Sequence, residues 1–215
     1  MLTLYSYFRS SAAYRVRIAL NYKGVNHDQK FIHLVREGGQ QFSADYKEIN
    51  PQSLVPALIQ DNKIFTQSLA IIEYLEEKYP QPPLLPPNPE GKAQVRALAQ
   101  IIACDIHPLN NRRVLQYFSD VLHLSEMQQL AWIHHWIQTG FSALEKMLMS
   151  SNKAGDFCYG ATPTMVDMCL IPQIYSAQRF NCPLEDYPML LRINEHCLTL
   201  PAFQQAHPSK QPDAE

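Results

Sequence analysis

The sequence predicts two domains of different class, an α/β domain followed by an all-α domain. Three observations carry this. Six of the 16 prolines fall between Pro80 and Pro89, where fixed backbone angles and missing amide donors exclude helix and central strand. Before that strap the text alternates between strand and helix spacings, and after it the spacing stays helical. The expected boundaries are residues 1–79, a linker over 80–90 and residues 91–215, and a chain of 215 residues has room for both cores.

In the first part, Leu2-Thr-Leu-Tyr-Ser reads as a short strand, and Ala12, Ala13, Val16, Ala19 and Leu20 recur at helical spacing. His27 to Ile32 reads as a second strand, and Val55 to Phe65, broken by Asp61-Asn62, as a hairpin. Leu69, Ile72 and Leu75 mark the last helix, so the order is β-α-β-α-β-β-α. Beyond the linker, Val95, Leu98, Ile102 and Ile106 share one helix face, and Leu130, Ile133, Ile137, Phe141, Leu144 and Leu148 another. Thr164-Met-Val-Asp167 has the form of a capping box, with the acid at the third helical position reaching back to the cap.

Composition excludes several function classes. Lys plus Arg (18) against Asp plus Glu (20) leaves a net charge of -2, and Arg112-Arg113 is the one tight basic cluster, which argues against a phosphate-tracking nucleic-acid surface. Apolar runs such as Ala70-Ile71-Ile72 are far shorter than a spanning helix needs, and the first residues carry neither a charged nor an apolar leader region. Cys104, Cys158, Cys169, Cys182 and Cys197 are odd in number and never spaced Cys-x-x-Cys, as expected of reduced thiols in a cytoplasmic protein. No metal is expected: His134 and His135 are adjacent and point about 100 degrees apart on a helix, and no His-Glu-x-x-His pair exists.

The candidate chemistry sits at helix starts. Arg9-Ser10-Ser11 lies between the first strand and the first helix, where a hydroxyl, open amides and the positive end of the helix dipole suit an anion such as a thiolate. On its own each serine is equally an ordinary N-cap. Gln67-Ser68 repeats the pattern at the last helix of the domain. Val55-Pro56 precedes a strand, and because only about 5 to 6% of such bonds are cis, the expectation from sequence is trans.

Taken in order, Tyr5-Ser-Tyr-Phe-Arg-Ser-Ser, Arg15-Val-Arg-Ile-Ala-Leu20, Asn50-Pro-Gln-Ser-Leu-Val-Pro56, Gln67-Ser-Leu-Ala-Ile-Ile-Glu-Tyr-Leu-Glu76 and Thr164-x-x-Asp167 resemble the zeta-class glutathione transferases, the maleylacetoacetate isomerases. The likeness continues through Ala177-Gln-Arg-Phe180 and His207-Pro-Ser-Lys-Gln-Pro212. It implies a thioredoxin-like domain that binds glutathione as cofactor and a helical domain that completes the pocket for a small dicarboxylate. It also implies a homodimer, and a place in tyrosine and phenylalanine catabolism. By position, Ser10 and Ser11 match the thiol-contacting motif, Gln41 and Val55 the contacts to the glutathione backbone, and Gln67 and Ser68 the γ-glutamyl site, with Arg15 beside them. Asp105-Ile-His107-Pro-Leu-Asn-Asn111-Arg112-Arg113 is similar to a pocket segment of the bacterial maleylpyruvate isomerases, which adds His107, Asn111 and Arg113. A solvated helix face is the competing reading of the two arginines. The chain departs from the family at Ala12, where the usual residue is cysteine.

The resemblance implies cis-trans isomerisation through reversible thiolate addition; for the substrate carboxylates, which the planar guanidinium suits, the candidates are Arg9 beside the thiol motif and Arg179, with Arg113 third. For Arg179 the competing role is capping carbonyls at a helix C-terminus. Maleylpyruvate as substrate, a general conjugating or peroxide-reducing transferase, and a non-catalytic binding protein stay open as alternatives.

Overall fold

The computed structural model describes residues 2–215, and its contacts divide the chain into two compact units: the chain up to Leu84 together with Leu198–Glu215, and Leu85–Cys197. The first unit contains β1 (Leu2–Ser6), α1 (Ser11–Tyr22), β2 (Asp28–Phe31), α2 (Ala44–Ile49), β3 (Ala57–Gln60), β4 (Lys63–Thr66) and α3 (Ser68–Lys78). The sheet order is β2-β1-β3-β4. β1 and β2 run parallel because α1 supplies the crossover, while β3 pairs antiparallel with both β1 and β4. Asp61 and Asn62 both take positive φ (49° and 61°), the backbone of a two-residue hairpin turn. That turn fixes the register Gln60↔Lys63.

α1 has Ala13, Val16, Ile18, Ala19 and Leu20 fully buried, and Arg15 and Arg17 are buried with them. The buried Lys23 that follows α1 donates to Glu76 Oε2 (2.7 Å) and to the carbonyls of Tyr79 (2.7 Å) and Pro82 (2.9 Å), tying the proline strap to the end of α3.

The sequence assigned residues 91–215 to one helical domain, but Leu198–Glu215 packs with the first unit. The reason is the second buried arginine: Arg17 Nε donates to Ala206 O at 3.0 Å, at the end of the short helix Pro201–Ala206, and Asn21 donates to Ala202 O at 3.2 Å. A buried guanidinium must be given acceptors, and the returning segment supplies one. A second correction concerns Val55-Pro56, which is cis rather than trans; Pro56 stands immediately before β3, where no ladder donor is required of it.

The second unit is all helix: α4 (Pro89–Gln100), a π turn (Ile101–Ile106), a 3-10 turn (His107–Asn110), α5 (Arg112–Asp120), α6 (Glu126–Met149), α7 (Met165–Arg179) and α8 (Pro188–Cys197). Pro201–Ala206, already placed in the first unit, is α9. Ile133, Ile137, Phe141, Leu144 and Leu148 of α6 are buried as their spacing predicts, but Leu130, one turn inside the helix start, is exposed at 36%. A Cβ at Gly140 would run into Ile106 of the π turn, so that helix crossing requires glycine. Thr164 and Asp167 form the expected capping box. Asp167 is completely buried and accepts Thr164 N–H (2.7 Å), Thr164 O–H (2.9 Å) and Cys158 N–H (2.8 Å). Burial pushes its carboxyl above the usual range, and those hydrogen bonds oppose the rise.

Candidate active site

Of the site residues of the first unit, Ser10 and Ser11 stand at the start of α1, Gln67 and Ser68 at the start of α3, Gln41 in the loop after β2 and Val55 just before β3. Ser10 is the N-cap of α1, its Oγ accepting from Ala13 N–H at 3.2 Å. An N-cap hydroxyl still has its own proton to donate. Ser11, the first helical residue, is 8% exposed and its hydroxyl makes no hydrogen bond among the described residues. The first turn of α1 holds no acidic residue, so the amides that begin every helix are left without a protein anion there.

Arg9 is braced rather than loose. Its Nε and Nη2 both donate to Tyr7 Oη (3.2 and 2.8 Å), and the guanidinium lies 5.0 Å from the centre of the Phe8 ring. One edge of the fork is thus used on a single acceptor, leaving Nη1 free among the described residues to bind a carboxylate with Nη2.

At α3, Gln67 precedes the helix with φ 68° and ψ 117°, a backbone that a residue other than glycine rarely adopts. Its side chain donates to Gln52 Oε1 at 2.9 Å. Ser68 opens the helix, is buried, and accepts from Arg15 Nη1 at 3.2 Å, which leaves its hydroxyl proton directed elsewhere. Arg15 therefore serves as the support behind Ser68 and keeps its charge buried at this helix start. Val55, just before the interior strand β3, is buried in a cluster with Tyr5, Tyr7, Phe8 and Tyr46. Gln41 is buried too; its Nε2 reaches Leu34 O at a long 3.4 Å, and its Oε1 is a buried acceptor without a partner among the described residues. An orphaned amide oxygen of this kind fits a ligand N–H.

The second-unit candidates divide. Asn111 is the N-cap of α5, its Oδ1 accepting from Arg113 N–H at 3.1 Å, so its side chain already has a structural task. Arg112 and Arg113 are exposed, as a solvated face requires. His107 lies half-buried in the 3-10 turn. Arg179 ends α7 and stacks 4.7 Å from the Phe180 ring, while the Phe180 carbonyl itself is met by His134 Nε2 at 2.8 Å. Sequence reasoning missed Asn110, whose amide nitrogen and oxygen are both buried without a partner among the described residues. It also missed Tyr7, the residue that orients Arg9. Asn110 gives no signal in the text beside the more familiar cap at Asn111, and Tyr7 gives none either, because it meets Arg9 across the turn that closes with Ser10 N–H on Tyr7 O at 3.0 Å.

Residues 4–83 match the glutathione S-transferase N-terminal domain family. A probable maleylacetoacetate isomerase of Vibrio cholerae is 48% identical over 99% of this chain and 98% of its own length. The chain belongs to the zeta-class glutathione transferases. Among solved zeta-class structures, the holo form of a bacterial maleylpyruvate isomerase superposes with a TM-score of 0.96 at 44% identity, covering 99% of this chain and all of that one. A maleylacetoacetate isomerase of Methylobacterium extorquens, solved with malonate and glutathione bound, gives a TM-score of 0.95 at 40% identity over 99% of each chain.

As a zeta-class chain, this one carries Ala12 in the first turn of α1, and no residue of that helix contains sulfur. Cys158, Cys169, Cys182 and Cys197 are buried and form no disulfide among the described residues, and burial raises the thiols of Cys158, Cys182 and Cys197; Cys104 is exposed in the π turn. Among the described residues no three His, Cys, Asp or Glu side chains are placed to hold a metal ion. No helix among them is long and apolar enough to cross a membrane.

Proposed function

We propose that this protein is a glutathione-dependent cis-trans isomerase that converts maleylacetoacetate to fumarylacetoacetate. The observation that carries the reading is the start of α1, where two hydroxyls and open amides converge with no acidic side chain of the protein's own. Bound glutathione supplies a thiolate that adds reversibly to the cis alkene, which permits rotation about the former double bond. Ser10 and Ser11 hold the charge on sulfur. A thiol of pKa about 8.5 is only a few per cent ionised at pH 7, and lowering it by about two units takes roughly 2.7 kcal/mol. A hydroxyl hydrogen bond to the anion contributes about 1.5 to 3 kcal/mol and the helix terminus about 0.3 to 1, so no strong base is needed.

The remaining residues bind and orient. Ser68, with Gln67, receives the γ-glutamyl end at the second open helix start, and the free Gln41 oxygen and the Val55 backbone take the peptide part. Arg9 and Arg179 meet the substrate carboxylates; His107, Asn111 and Arg113 are secondary candidates in the helical unit. We read the domains as residues 1–79 for glutathione and 91–215 for the substrate, joined by 80–90, with Leu198–Glu215 returned to the first. We read the protein as a cytoplasmic homodimer, a view supported by its family and by cysteines that form no disulfide among the described residues.

Maleylpyruvate is the second reading, favoured by the TM-score of 0.96 to a maleylpyruvate isomerase. A coupled assay with both substrates, with and without glutathione, decides between them; equal rates without glutathione would end both. Within that assay Arg179→Met should lower kcat/KM roughly 10- to 150-fold, the equivalent of a charge-assisted contact of about 1.5 to 3 kcal/mol, with glutathione affinity kept. Lysine should not restore it. Normal rates with a lowered melting temperature would leave Arg179 a capping role only.

A further inference from the structure

The motif that closes the resemblance, His207 to Pro212, leads into two carboxylates that reach back to the loops of the proposed site. Gln211 anchors this segment by donating to Gln205 O (2.8 Å) and His207 O (3.0 Å). Asp213 Oδ2 then accepts the Phe8 N–H at 2.9 Å, one residue before Arg9-Ser10-Ser11. On the other side of Phe8, its carbonyl accepts from Arg17 Nη2 at 3.0 Å, and Arg17 Nη1 also reaches Ser6 Oγ (3.0 Å) and Tyr7 O (3.3 Å). Both peptide groups of Phe8 are thus fixed by charged side chains, one of which belongs to the returning segment. Asp213 Oδ1 is buried without a partner among the described residues, an arrangement that stability alone does not select.

Glu215 does the same for the loop after β2. It pairs with Arg36, and its Oε1 lies 3.0 Å from His33 Nε2. His33 Nδ1 accepts from the amides of Val35 (3.2 Å) and Arg36 (2.8 Å), which places the ring proton on Nε2, facing Glu215. The His33 amide in turn donates to Gln40 Oε1 at 2.9 Å, beside Gln41.

From this we infer that Gln211–Glu215 is a strap with two positioning residues: Asp213 sets the loop that presents Arg9, Ser10 and Ser11, and Glu215 sets the loop that presents Gln41. The inference rests on the reading of the site as a glutathione site. Because the two ends hold different parts of that site, they leave different kinetic signatures. Loss of the Asp213 contact misplaces the groups that act on sulfur, whereas loss of the Glu215 contact loosens the hold on the peptide.

The test is steady-state kinetics of the full chain in maleylacetoacetate isomerisation, with melting temperatures on the same preparations. Asp213→Ala should lower kcat about tenfold with the glutathione KM nearly constant, and Asp213→Asn, which still accepts the Phe8 N–H, should recover most of it. Glu215→Ala should raise the glutathione KM about fivefold with kcat kept. Glu215 is exposed, so this variant decides even if Asp213→Ala fails to fold. A glutathione KM unchanged in Glu215→Ala overturns the strap, as does any set in which kcat and KM move together with the melting temperature. A wild-type chain that binds no glutathione removes the functional reading itself, whereas wild-type binding with indifferent variants removes only the strap.

Discussion

At the start of α7 the buried Asp167 meets the Thr164 and Cys158 amides, and at the start of α8 the buried Glu145 of α6 accepts from Met189 N–H (2.8 Å) and Leu190 N–H (3.0 Å). At the starts of α1 and α3, in the other unit, no acidic residue stands in the first turn, although Ser11 and Ser68 are just as buried as many core residues. A helix start is an anion site by its open amides and dipole. In the helical unit the starts of α7 and α8 are closed by carboxylates of its own and those of α5 and α6 by Asn111 and Ser125; in the α/β unit the starts of α1 and α3 hold no such carboxylate, and an outside anion is what they can still accept.

The largest effect that this contrast predicts falls on the closed start. Asp167→Ala leaves two buried amides unsatisfied and should destabilise by about 3 kcal/mol, which lowers the melting temperature by roughly 6 to 12 °C at this size. Turnover per folded molecule should stay normal. Activity lost at an unchanged melting temperature would break the contrast, because α7 would then be a working start.

At the open start the two serines should separate. Ser11→Ala should raise the pKa of the bound thiol by about one unit and cut turnover about tenfold below it, with little change in stability. Ser10→Ala should add the loss of an N-cap, about 1 kcal/mol or some 2 to 4 °C. Thiolate absorbance against pH, measured beside a thermal melt, reads both; an unshifted thiol in each variant would take serine out of the mechanism.

A third kind of start gives the smallest effect. His207 caps the 3-10 turn Pro208–Lys210 by accepting from Ser209 N–H at 3.2 Å, and burial, with Arg17 and Lys210 nearby, holds its pKa below the ordinary histidine value of 6.5. The unfolded chain therefore binds the proton more readily. The stability due to neutral His207 is complete above pH 6.5 and lost as the pH falls through the lowered value. Between pH 7 and 5.5 the wild type should lose about 1 °C more of melting temperature than His207→Asn, whose amide caps without titrating. Parallel profiles would mean that the cap carries no pH dependence.

Much of this was legible in the text. The β-α-β-α-β-β-α order, the hairpin at Asp61-Asn62 and the Thr164–Asp167 box follow from period and from local capping chemistry, which act over a few residues. What escaped depends on distant partners. Leu198–Glu215 looks helical and terminal, and only the acceptors demanded by buried Arg17 assign it to the first unit. Asn111 and Asn110 are indistinguishable as letters, yet one caps α5 while the other has both amide atoms buried and unmet. The residue types at the proposed site were readable as a pattern; the bracing of Arg9 by Tyr7 and of Ser68 by Arg15 was not, because side-chain direction decides it.

The discontinuity of the first unit also bears on how the molecule is made. Residues through Leu84 are translated well before Leu198, and at about 5 to 20 residues per second roughly 6 to 23 seconds of translation lie between them. During that interval Arg17 lacks the Ala206 carbonyl and Phe8 lacks the Asp213 carboxylate. The α/β unit, although translated first, is thus the later of the two to acquire its full set of contacts, and α1 stays short of its α9 partner until Leu85–Cys197 has been synthesised.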